Sequence, residues 1–312
     1  YGLAAAGLLA SVILWFSSFS EVMTSDKFIY LFGRVAPALS LVLSMTLRFV
    51  PQFRAQLHTI SEAQRTLGRD VSSGSVLTRL RIALLTDLHS CDYGEGQAGL
   101  LEAVAAEGPD VVLLGGDIVD DDARMDPERA YTAASALAAS WPTYYVSGNH
   151  EFWSGEADAI KTALEARGVT VLEGACVPVA VDGQTIRLCG VDDPAAGEAV
   201  WRAQLARAAA QADPDLFTIL LTHRPERVEA YRGRGFDLIL AGHAHGGQWR
   251  LPGVVNGLLA PDQGLFPPYA GGRYELEGGT LIVSRGLARE STRVPRVFNR
   301  PELVIIDVTP AC

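Results

Sequence analysis

Five short polar clusters each follow an apolar run of the sequence, and their side chains are carboxylates, imidazoles and one carboxamide. A single Asp at the end of a strand is typical of a turn or a helix cap, and a single His beside a core is typical of a structural residue. Five such clusters in one chain indicate instead that their side chains share one site. The clusters are D-L-H at 87–89, G-D-I-V-D at 116–120, G-N-H-E at 148–151, T-H-R-P at 222–225 and G-H-A-H-G-G-Q at 242–248.

The clusters offer enough nitrogen and oxygen donors for two divalent cations a few ångströms apart, provided that one carboxylate bridges them. Imidazole combined with carboxylate suits Mn, Fe, Zn or Co, whereas Ca prefers ligand shells made only of oxygen. The absence of Cys from the set argues against a structural zinc site. The candidate ligands are Asp87, His89, Asp117, Asn149, His223, His243 and His245.

The elements that position these clusters follow the pattern of a layered α/β fold from Arg81 onward. Short runs of Leu and β-branched residues, typical of strands buried on both faces, alternate with Ala- and Glu-rich stretches of helical period. Ligands of such folds gather at the carboxyl ends of strands, where all five clusters stand. The predicted strands are 82–86, 111–115, 143–147, 217–222, 238–241, 281–283 and 303–308, and the predicted helices are 97–107, 127–139, 155–167 and 197–212.

Two further segments have recognisable local signals. The dipeptide Asp182-Gly183 predicts a tight hairpin turn between strands at 176–181 and 184–190. The Gly- and Pro-rich stretch 252–279 has little periodic pattern and is predicted to be a surface loop near the site.

The five clusters stand in the order of the calcineurin-like metallophosphoesterases, which residues 81–308 resemble. That family's pattern is D-x-H, G-D-x-x-D, G-N-H-E/D, a lone His and G-H-x-H. The resemblance implies two mixed β-sheets sandwiched between helices, with two metal ions at the strand ends, Mn being favoured. It implies that Asp87, His89 and His245 hold the first ion, that Asn149, His223 and His243 hold the second, and that Asp117 bridges the two.

The resemblance also implies a hydrolase in which the ions activate a water and neutralise the phosphoryl oxygens of the substrate. Asp117 and His150 would be the catalytic residues, with His150 protonating the leaving group or steadying the phosphoryl oxygens. Asp120 and Glu151 would support the ligands or form turns. Arg224 and Arg285 are candidate substrate-binding residues, and a surface or structural role is the alternative for each.

Smaller matches favour one branch of the family. Segments 87–97, 242–248, 264–267 and 283–287 are similar to a membrane-associated bacterial branch that includes enzymes acting on lipid-linked nucleotide pyrophosphates such as UDP-2,3-diacylglucosamine. That branch more often has Thr where Ala244 stands and Gly where Ala288 stands. The apolar segment 265–269 fits a site beside a membrane or an acyl chain, and a packed turn is the alternative.

Charge and hydropathy divide the chain near residue 80. Residues 1–80 hold seven Lys and Arg against four Asp and Glu, a net +3, whereas residues 81–312 hold nineteen against thirty-two, a net −13. The apolar content excludes a disordered chain, and the acidic second part argues against nucleic acid bound across a broad surface. We therefore divide the chain into residues 1–80 and a catalytic domain at 81–312.

The first part carries two apolar runs. Residues 1–20 are uncharged, and residues 28–47 contain Arg34 and Pro37, so both are predicted to be transmembrane helices, with a pair of buried core helices as the alternative. A basic helix is predicted to follow them. The arginines from Arg48 onward place the catalytic domain on the cytoplasmic side of the membrane by the positive-inside rule. That placement predicts that Cys176 and Cys189 are reduced.

The segment S-M-T-L-R-F-V-P-Q-F-R-A-Q-L-H-T-I-S-E-A-Q-R-T-L-G-R-D, residues 44–70, resembles part of the transmembrane coupling subunit of energy-coupling-factor transporters. In that family, basic cytoplasmic helices dock on ATPase subunits, so the resemblance implies ATPase partners and a transporter function as one alternative. A nucleotide phosphodiesterase, a protein phosphatase and a degenerate phosphoesterase kept as a binding module are the others, although the complete ligand set argues against the last. The leading hypothesis is a membrane-tethered, metal-dependent phosphohydrolase whose substrate is a phosphorylated small molecule or a lipid-linked nucleotide.

Overall fold

A computed structural model describes residues 79–181, 184–251, 254–289 and 295–309 of the chain. The chain divides between Val76 and Leu77, and every described residue belongs to the second unit, Leu77–Cys312. The helices predicted from residues 1–78, including both transmembrane helices, lie outside the described residues. Within the described ranges, no helix has the length and the apolar character needed to span a membrane.

Five strands form the first sheet, in the order β13-β1-β2-β3-β4. Strands β1 to β4 run parallel to one another, and β13 pairs with β1 in the antiparallel sense, with Ile306 opposite Ile82. The sheet is therefore mixed, as the resemblance implies. Its strands are β1 (Leu80–Leu85), β2 (Val111–Gly115), β3 (Thr143–Val146), β4 (Thr170–Val171) and β13 (Val304–Val308).

Six strands form the second sheet, in the order β11-β12-β8-β7-β6-β5. The four central strands are parallel, while β5 and β11 are antiparallel edge strands. A two-stranded hairpin of β9 (Leu259–Ala260) and β10 (Gly264–Leu265) lies apart from both sheets. The six strands are β5 (Ala175–Val181), β6 (Gln184–Gly190), β7 (Thr218–Leu221), β8 (Leu238–Ala241), β11 (Gly272–Leu276) and β12 (Gly279–Val283).

The helices begin and end at residues whose local chemistry favours those boundaries. The carboxylate of Asp126 accepts a hydrogen bond from the Glu128 N–H, and Pro127 occupies the first helical position, so α2 begins there. Gly108, in a left-handed conformation, ends α1. The helices are α1 (Ala98–Glu107), α2 (Pro127–Ser140), α3 (Asn149–Trp153), α4 (Ala157–Glu165), α5 (Glu198–Ala210) and α6 (Val228–Tyr231).

The alternation of side chains along each strand builds the layers. In β1, Ile82 and Leu84 pack against Ile219 and Leu240 of the second sheet, whereas Ala83 and its neighbours on the opposite face pack against α1 and α2. A separate apolar cluster joins the second sheet to α5 and α6. Two mixed sheets thus lie face to face between outer helices, and the α/β fold with mixed sheets is confirmed.

One structural prediction from the sequence is wrong in part. Residues 252–279 are not one irregular loop, because they contain the β9–β10 hairpin and all of β11. The strands of that hairpin have only two residues each, too few for a period to show. Strand β11 is an edge strand whose Arg273 and Glu275 face solvent, so its apolar pattern is weak.

The prediction of reduced cysteines is also contradicted. Cys176 and Cys189 stand directly opposite each other on β5 and β6, and the structure joins them in a disulfide. The antiparallel register supplies the geometric reason, because directly opposite residues of a hairpin bring their side chains together. The predicted turn, Asp182-Gly183, lies outside the described residues.

We predict that tryptic digestion of the unreduced protein releases a cross-linked pair of peptides. Cleavage at Arg167, Arg187 and Arg202 separates Cys176, in residues 168–187, from Cys189, in residues 188–202. The disulfide should hold the two peptides together until a reductant is added, and mass spectrometry would detect the linked mass. Recovery of two separate, unlinked peptides without reductant would contradict this pairing.

Candidate metal centre

The structure brings the five clusters to one edge of the two sheets. The first three clusters follow β1, β2 and β3 of the first sheet, and the last two follow β7 and β8 of the second sheet. Among the described residues, four groups of donors have ligand atoms within 4.8 Å of one another, and two of these groups consist only of predicted metal ligands. The first group is Asp87, His89 and His245, and the second is Asp117, His223 and His243.

Asp117 belongs to the second group and also faces the first. Its Oδ2 atom is 3.0 Å from Nε2 of His223 in the second group and 3.8 Å from Nε2 of His89 in the first. The imidazole of His245 stacks on that of His89, with ring centroids 5.2 Å apart, and its Nε2 is 3.6 Å from Oδ1 of Asp87. A single carboxylate oxygen therefore faces donors from both groups.

Five donor atoms of these residues are buried and have no hydrogen-bond partner among the described residues. Buried polar atoms are normally paired, so a set of unpaired atoms at the strand ends calls for a missing partner. A divalent cation is such a partner, and the mixed nitrogen and oxygen set fits a first-row transition metal. The atoms are Nε2 of His89, Oδ2 of Asp117, Oδ1 of Asn149, Nε2 of His223 and Nδ1 of His243.

The opposite nitrogen of two imidazoles is held by a hydrogen bond that fixes the ring. Nδ1 of His223 lies 2.8 Å from the Gly115 carbonyl oxygen, and Nδ1 of His89 lies 2.9 Å from Oδ2 of Asp120. Such bonds set the tautomer and turn the other nitrogen toward the cation. Asp120 thus lies behind His89, where it orients the ring.

The backbone around the donors is strained. Five of the seven candidate ligands have positive φ angles between 45° and 66°, a region that costs a non-glycine residue about 1–3 kcal/mol. Neighbouring glycines make room for this: a Cβ on Gly148 would lie 2.2 Å from Oδ1 of Asp117, and one on Gly242 would lie 2.7 Å from Oδ2 of Asp87. The five strained ligands are Asp87, His89, Asp117, His243 and His245.

Glu151 holds the loop of Asp117 against the loop of Asn149. Its buried carboxylate accepts hydrogen bonds from the backbone N–H groups of Asp117, Ile118 and Val119 at 2.7–3.1 Å, and from Gly148 at 2.8 Å. Burial and the nearby charge of Asp117 raise the pKa of Glu151, and the bonds from Val119 and Gly148 oppose that rise. The carboxylate therefore connects the two ligand loops through their backbones.

The charges of the centre compensate one another. Burial alone would raise the pKa of Asp117, but the charges of His223, His150 and His89 hold it well below its usual range. Burial lowers the pKa of His223, yet the charge of Asp117, whose Oδ2 lies 3.0 Å from Nε2 of that ring, raises this pKa to about 10. Binding of a cation here would require His223 to lose its proton.

His245, unlike His223, is in its neutral form. Burial lowers its pKa to about 3, although the charge of Asp87 works against that shift. The ring is neutral at pH 7, which is the form that ligates a metal. The first group of donors therefore needs no deprotonation of His245 before it binds a cation.

His150 lies at the rim of the centre. Its backbone N–H donates to Oδ1 of Asp117 at 2.8 Å, and its Nε2 is 3.9 Å from Oδ2 of that carboxylate. Burial alone would lower the pKa of His150, but the hydrogen bond to Asp120 and the charges of Asp117, Asp120 and Asp121 raise it to about 9. Nδ1 of the ring also lies 2.6 Å from Oδ1 of Asp121. Sequence reasoning missed Asp121 because the pattern G-D-x-x-D selects Asp120 and not its neighbour.

Both predicted substrate arginines are bound to carboxylates. The guanidinium of Arg224 donates to Oδ2 of Asp193 at 2.5 Å and also contacts Asp262, and its Nη1 lies 2.9 Å from Nε2 of His243. Arg285 pairs with Glu302. Arg224 therefore borders the centre, and a role for either arginine in binding substrate stays a prediction.

The structure places a third arginine beside the centre. Nη2 of Arg296 lies 3.4 Å from Nδ1 of His245, while its Nε and Nη1 atoms are buried without a hydrogen-bond partner among the described residues. Sequence reasoning missed Arg296 because it stands far from every polar cluster, in V-P-R-V-F at 294–298.

A model of the calcineurin-like phosphoesterase family matches residues 80–247, which contain all seven candidate ligands. The chain belongs to this family. Among its relatives, an uncharacterized metallophosphoesterase of Bacillus subtilis, YkuE, is 27% identical over 230 residues, covering 72% of this chain and 77% of that protein. The phosphodiesterase YaeI of Escherichia coli is 29% identical over 234 residues, covering 73% of this chain and 82% of that protein.

Among solved structures, the phosphopantetheinyl hydrolase of Mycobacterium tuberculosis matches 72% of this chain and 97% of its own, at 13% identity and a TM-score of 0.44. The family assignment therefore rests on the family model and on the sequence relatives. It makes this chain a metal-dependent hydrolase of phosphoester bonds.

We predict that Glu151→Gln destabilises the protein by about 2–4 kcal/mol, because an amide supplies one oxygen and one NH₂ group to four backbone N–H donors and leaves buried donors unpaired. Urea denaturation monitored by circular dichroism would measure the change. The matched control is Glu165→Gln on the exposed face of α4, which should stay within about 0.5 kcal/mol of the wild type. Equal stability of the two variants would contradict the connecting role of Glu151.

Proposed function

We propose that this chain hydrolyses a phosphodiester or pyrophosphate bond with two divalent cations, Mn first among them, bound on either side of Asp117. The observation that carries the proposal is the set of five buried donor atoms without a hydrogen-bond partner among the described residues, four of which belong to the two donor groups. One group would be held by Asp87, His89 and His245, and the other by Asn149, His223 and His243. When bound, the two cations would supply Lewis-acid chemistry that activates water and neutralises the phosphoryl oxygens.

The protein's own residues would hold and orient the reactants. Asp120 and the Gly115 carbonyl keep two imidazoles turned inward, so little reorganisation accompanies the reaction. His150 is protonated and partly exposed at the rim, close to Asp117, which is the position of a general acid for the leaving oxygen. Asp121 and Asp120 would keep this ring charged until the proton is transferred.

A cavity of about 570 Å³ adjoins the centre. This volume favours a substrate whose leaving group is large. The ring of Trp153, more than half exposed, lies 5.1 Å from that of His150, so a group that takes the proton of His150 would reach this indole. Stacking on an indole suits a nucleobase, in accord with a nucleotide-bearing substrate. The cavity is lined by Trp153, Pro194, Ala195, Arg224, Glu226, Arg227 and Asp262.

For the substrate we propose a lipid-linked nucleotide pyrophosphate, with a nucleotide phosphodiester as the alternative. The likeness to YaeI, which is named a phosphodiesterase, favours the second. A coupling role in a transporter rests on residues 1–80 alone, and the family model begins at residue 80.

We further propose that the protein acts at a membrane. The arginines from Arg48 onward support a catalytic domain on the cytoplasmic side. The disulfide between Cys176 and Cys189 is typical of an oxidising compartment instead. Peptide mapping on protein from its native cell, alkylated at lysis, separates these two placements.

The substitution Asp117→Asn should lower Mn-stimulated hydrolysis of bis-p-nitrophenyl phosphate by about 10²–10³-fold, because it removes the charge shared by the two donor groups. Metal content after dialysis should fall in parallel. The control is Asp158→Asn on exposed α4, which should keep wild-type turnover and metal content. Unchanged turnover in the Asp117 variant would overturn the proposal.

The substitution His150→Ala tests the general acid separately. A diester with an alkyl leaving group should lose about 10²–10⁴-fold in turnover, because its alkoxide needs a proton. Bis-p-nitrophenyl phosphate should lose much less, since p-nitrophenolate leaves without protonation. Equal losses on the two substrates would show that His150 does not donate the proton.

A further inference from the structure

The exposed apolar side chains of the described residues are concentrated in one part of the chain. Of the eleven large hydrophobic residues that are exposed, eight lie between Trp249 and Phe298. Single exposed hydrophobic residues are ordinary, but a contiguous group marks a surface that binds something. We give the name apolar platform to six of these residues, Trp249, Leu251, Val254, Leu265, Phe266 and Phe298.

Backbone hydrogen bonds place the segments of the apolar platform side by side. The Arg250 N–H donates to the Val297 carbonyl at 3.0 Å, the Leu258 N–H donates to Trp249 at 2.9 Å, and the Phe266 N–H donates to Leu258 at 2.8 Å. Trp249 and Val297 form a bridge pair, and paired residues share a face. The segments that carry the exposed side chains are therefore hydrogen-bonded neighbours in the fold.

The apolar platform is attached to the metal centre. Trp249 stands four residues after the candidate ligand His245. The side chain of Asn299, next to Phe298, donates to the carbonyl oxygens of His245 at 2.7 Å and Gln248 at 3.2 Å. A molecule seated on this surface would thus lie beside the point where the donors converge.

Charge distinguishes this region from the rest of the catalytic unit. Residues 249–301 hold seven Arg against four Asp and Glu, a net +3, whereas residues 81–248 hold twelve Lys and Arg against twenty-six Asp and Glu, a net −14. Arg289 and Arg300 are exposed. Apolar and aromatic side chains combined with arginines complement a lipid layer that is apolar inside and anionic at its surface.

We propose that the apolar platform docks the catalytic unit on an anionic lipid bilayer. Val254, Leu265, Phe266 and Phe298 are each 66–76% exposed, so they project from the surface instead of lining a groove. A fluid acyl layer accepts separate projecting side chains, whereas a folded partner would need a matching pocket for each. This inference rests on the proposed function, because docking on a bilayer would bring the metal centre to a lipid-linked substrate.

The test uses the full chain and vesicles of brominated phosphatidylcholine, with and without phosphatidylglycerol. Bromine quenches a tryptophan that enters the acyl layer, and the difference between the wild type and Trp249→Phe isolates Trp249 from the four other tryptophans. We expect Trp249-dependent quenching that is stronger with phosphatidylglycerol and is lost in a triple variant, Leu265→Asp, Phe266→Asp and Phe298→Asp. The control Val200→Asp, at an exposed apolar residue of α5, should keep it.

Several results would overturn the proposal. They are the absence of Trp249-dependent quenching, quenching that persists in the triple variant, and equal quenching on vesicles with and without phosphatidylglycerol. Self-association that the triple variant abolishes, without quenching, would assign the surface to a second copy of the chain instead. Hydrolysis of soluble bis-p-nitrophenyl phosphate should remain within about twofold of wild type in the triple variant, so failure of docking and failure of the proposed function remain distinguishable.

Discussion

The structure depends on one buried charge, the carboxylate of Asp117. It lies fully buried between two groups of imidazoles, and burial of an unpaired carboxylate is costly. The charges of His223, His150 and His89 compensate it. The same oxygen atom faces both groups of donors, so the arrangement that stabilises this charge also concentrates candidate metal ligands. The net charge of −13 in residues 81–312 would not oppose a phosphate substrate here once the centre holds the metal proposed for it.

Strands of both sheets end at one edge, and this brings the donors that follow them together. Parallel pairing of β1, β2 and β3, and of β7 and β8, aligns five strand ends. The donors converge only because several ligands adopt left-handed backbone conformations and because Gly148 and Gly242 leave room for close approach. Glu151 then fixes two of the ligand loops to each other. The strain is stored at the centre and is offset by the packed sheets beneath it.

Much of this could be predicted from the sequence, because the strands are continuous apolar runs and each polar cluster follows one directly. The alternation of runs also predicted a layered α/β fold, and the family resemblance implied that its two sheets are mixed. Asp121 and Arg296 could not be found this way, since their proximity to His150 and His245 arises from tertiary packing and not from local spacing. The disulfide was missed because the predicted membrane topology placed both cysteines in a reducing compartment, whereas the hairpin register alone places Cys176 opposite Cys189. The clustering of exposed apolar residues after Trp249 likewise requires burial and backbone pairing, which periodicity does not supply.

The central claim is that Asp117 stands between two cations. Anomalous X-ray diffraction from crystals soaked in Mn²⁺ tests it most directly, because it locates each ion independently of any assay. The account predicts two anomalous peaks about 3.5–4 Å apart, one beside His89 and His245 and the other beside His223 and His243, with Asp117 between them. A single peak, or two peaks that Asp117 does not contact, would contradict it.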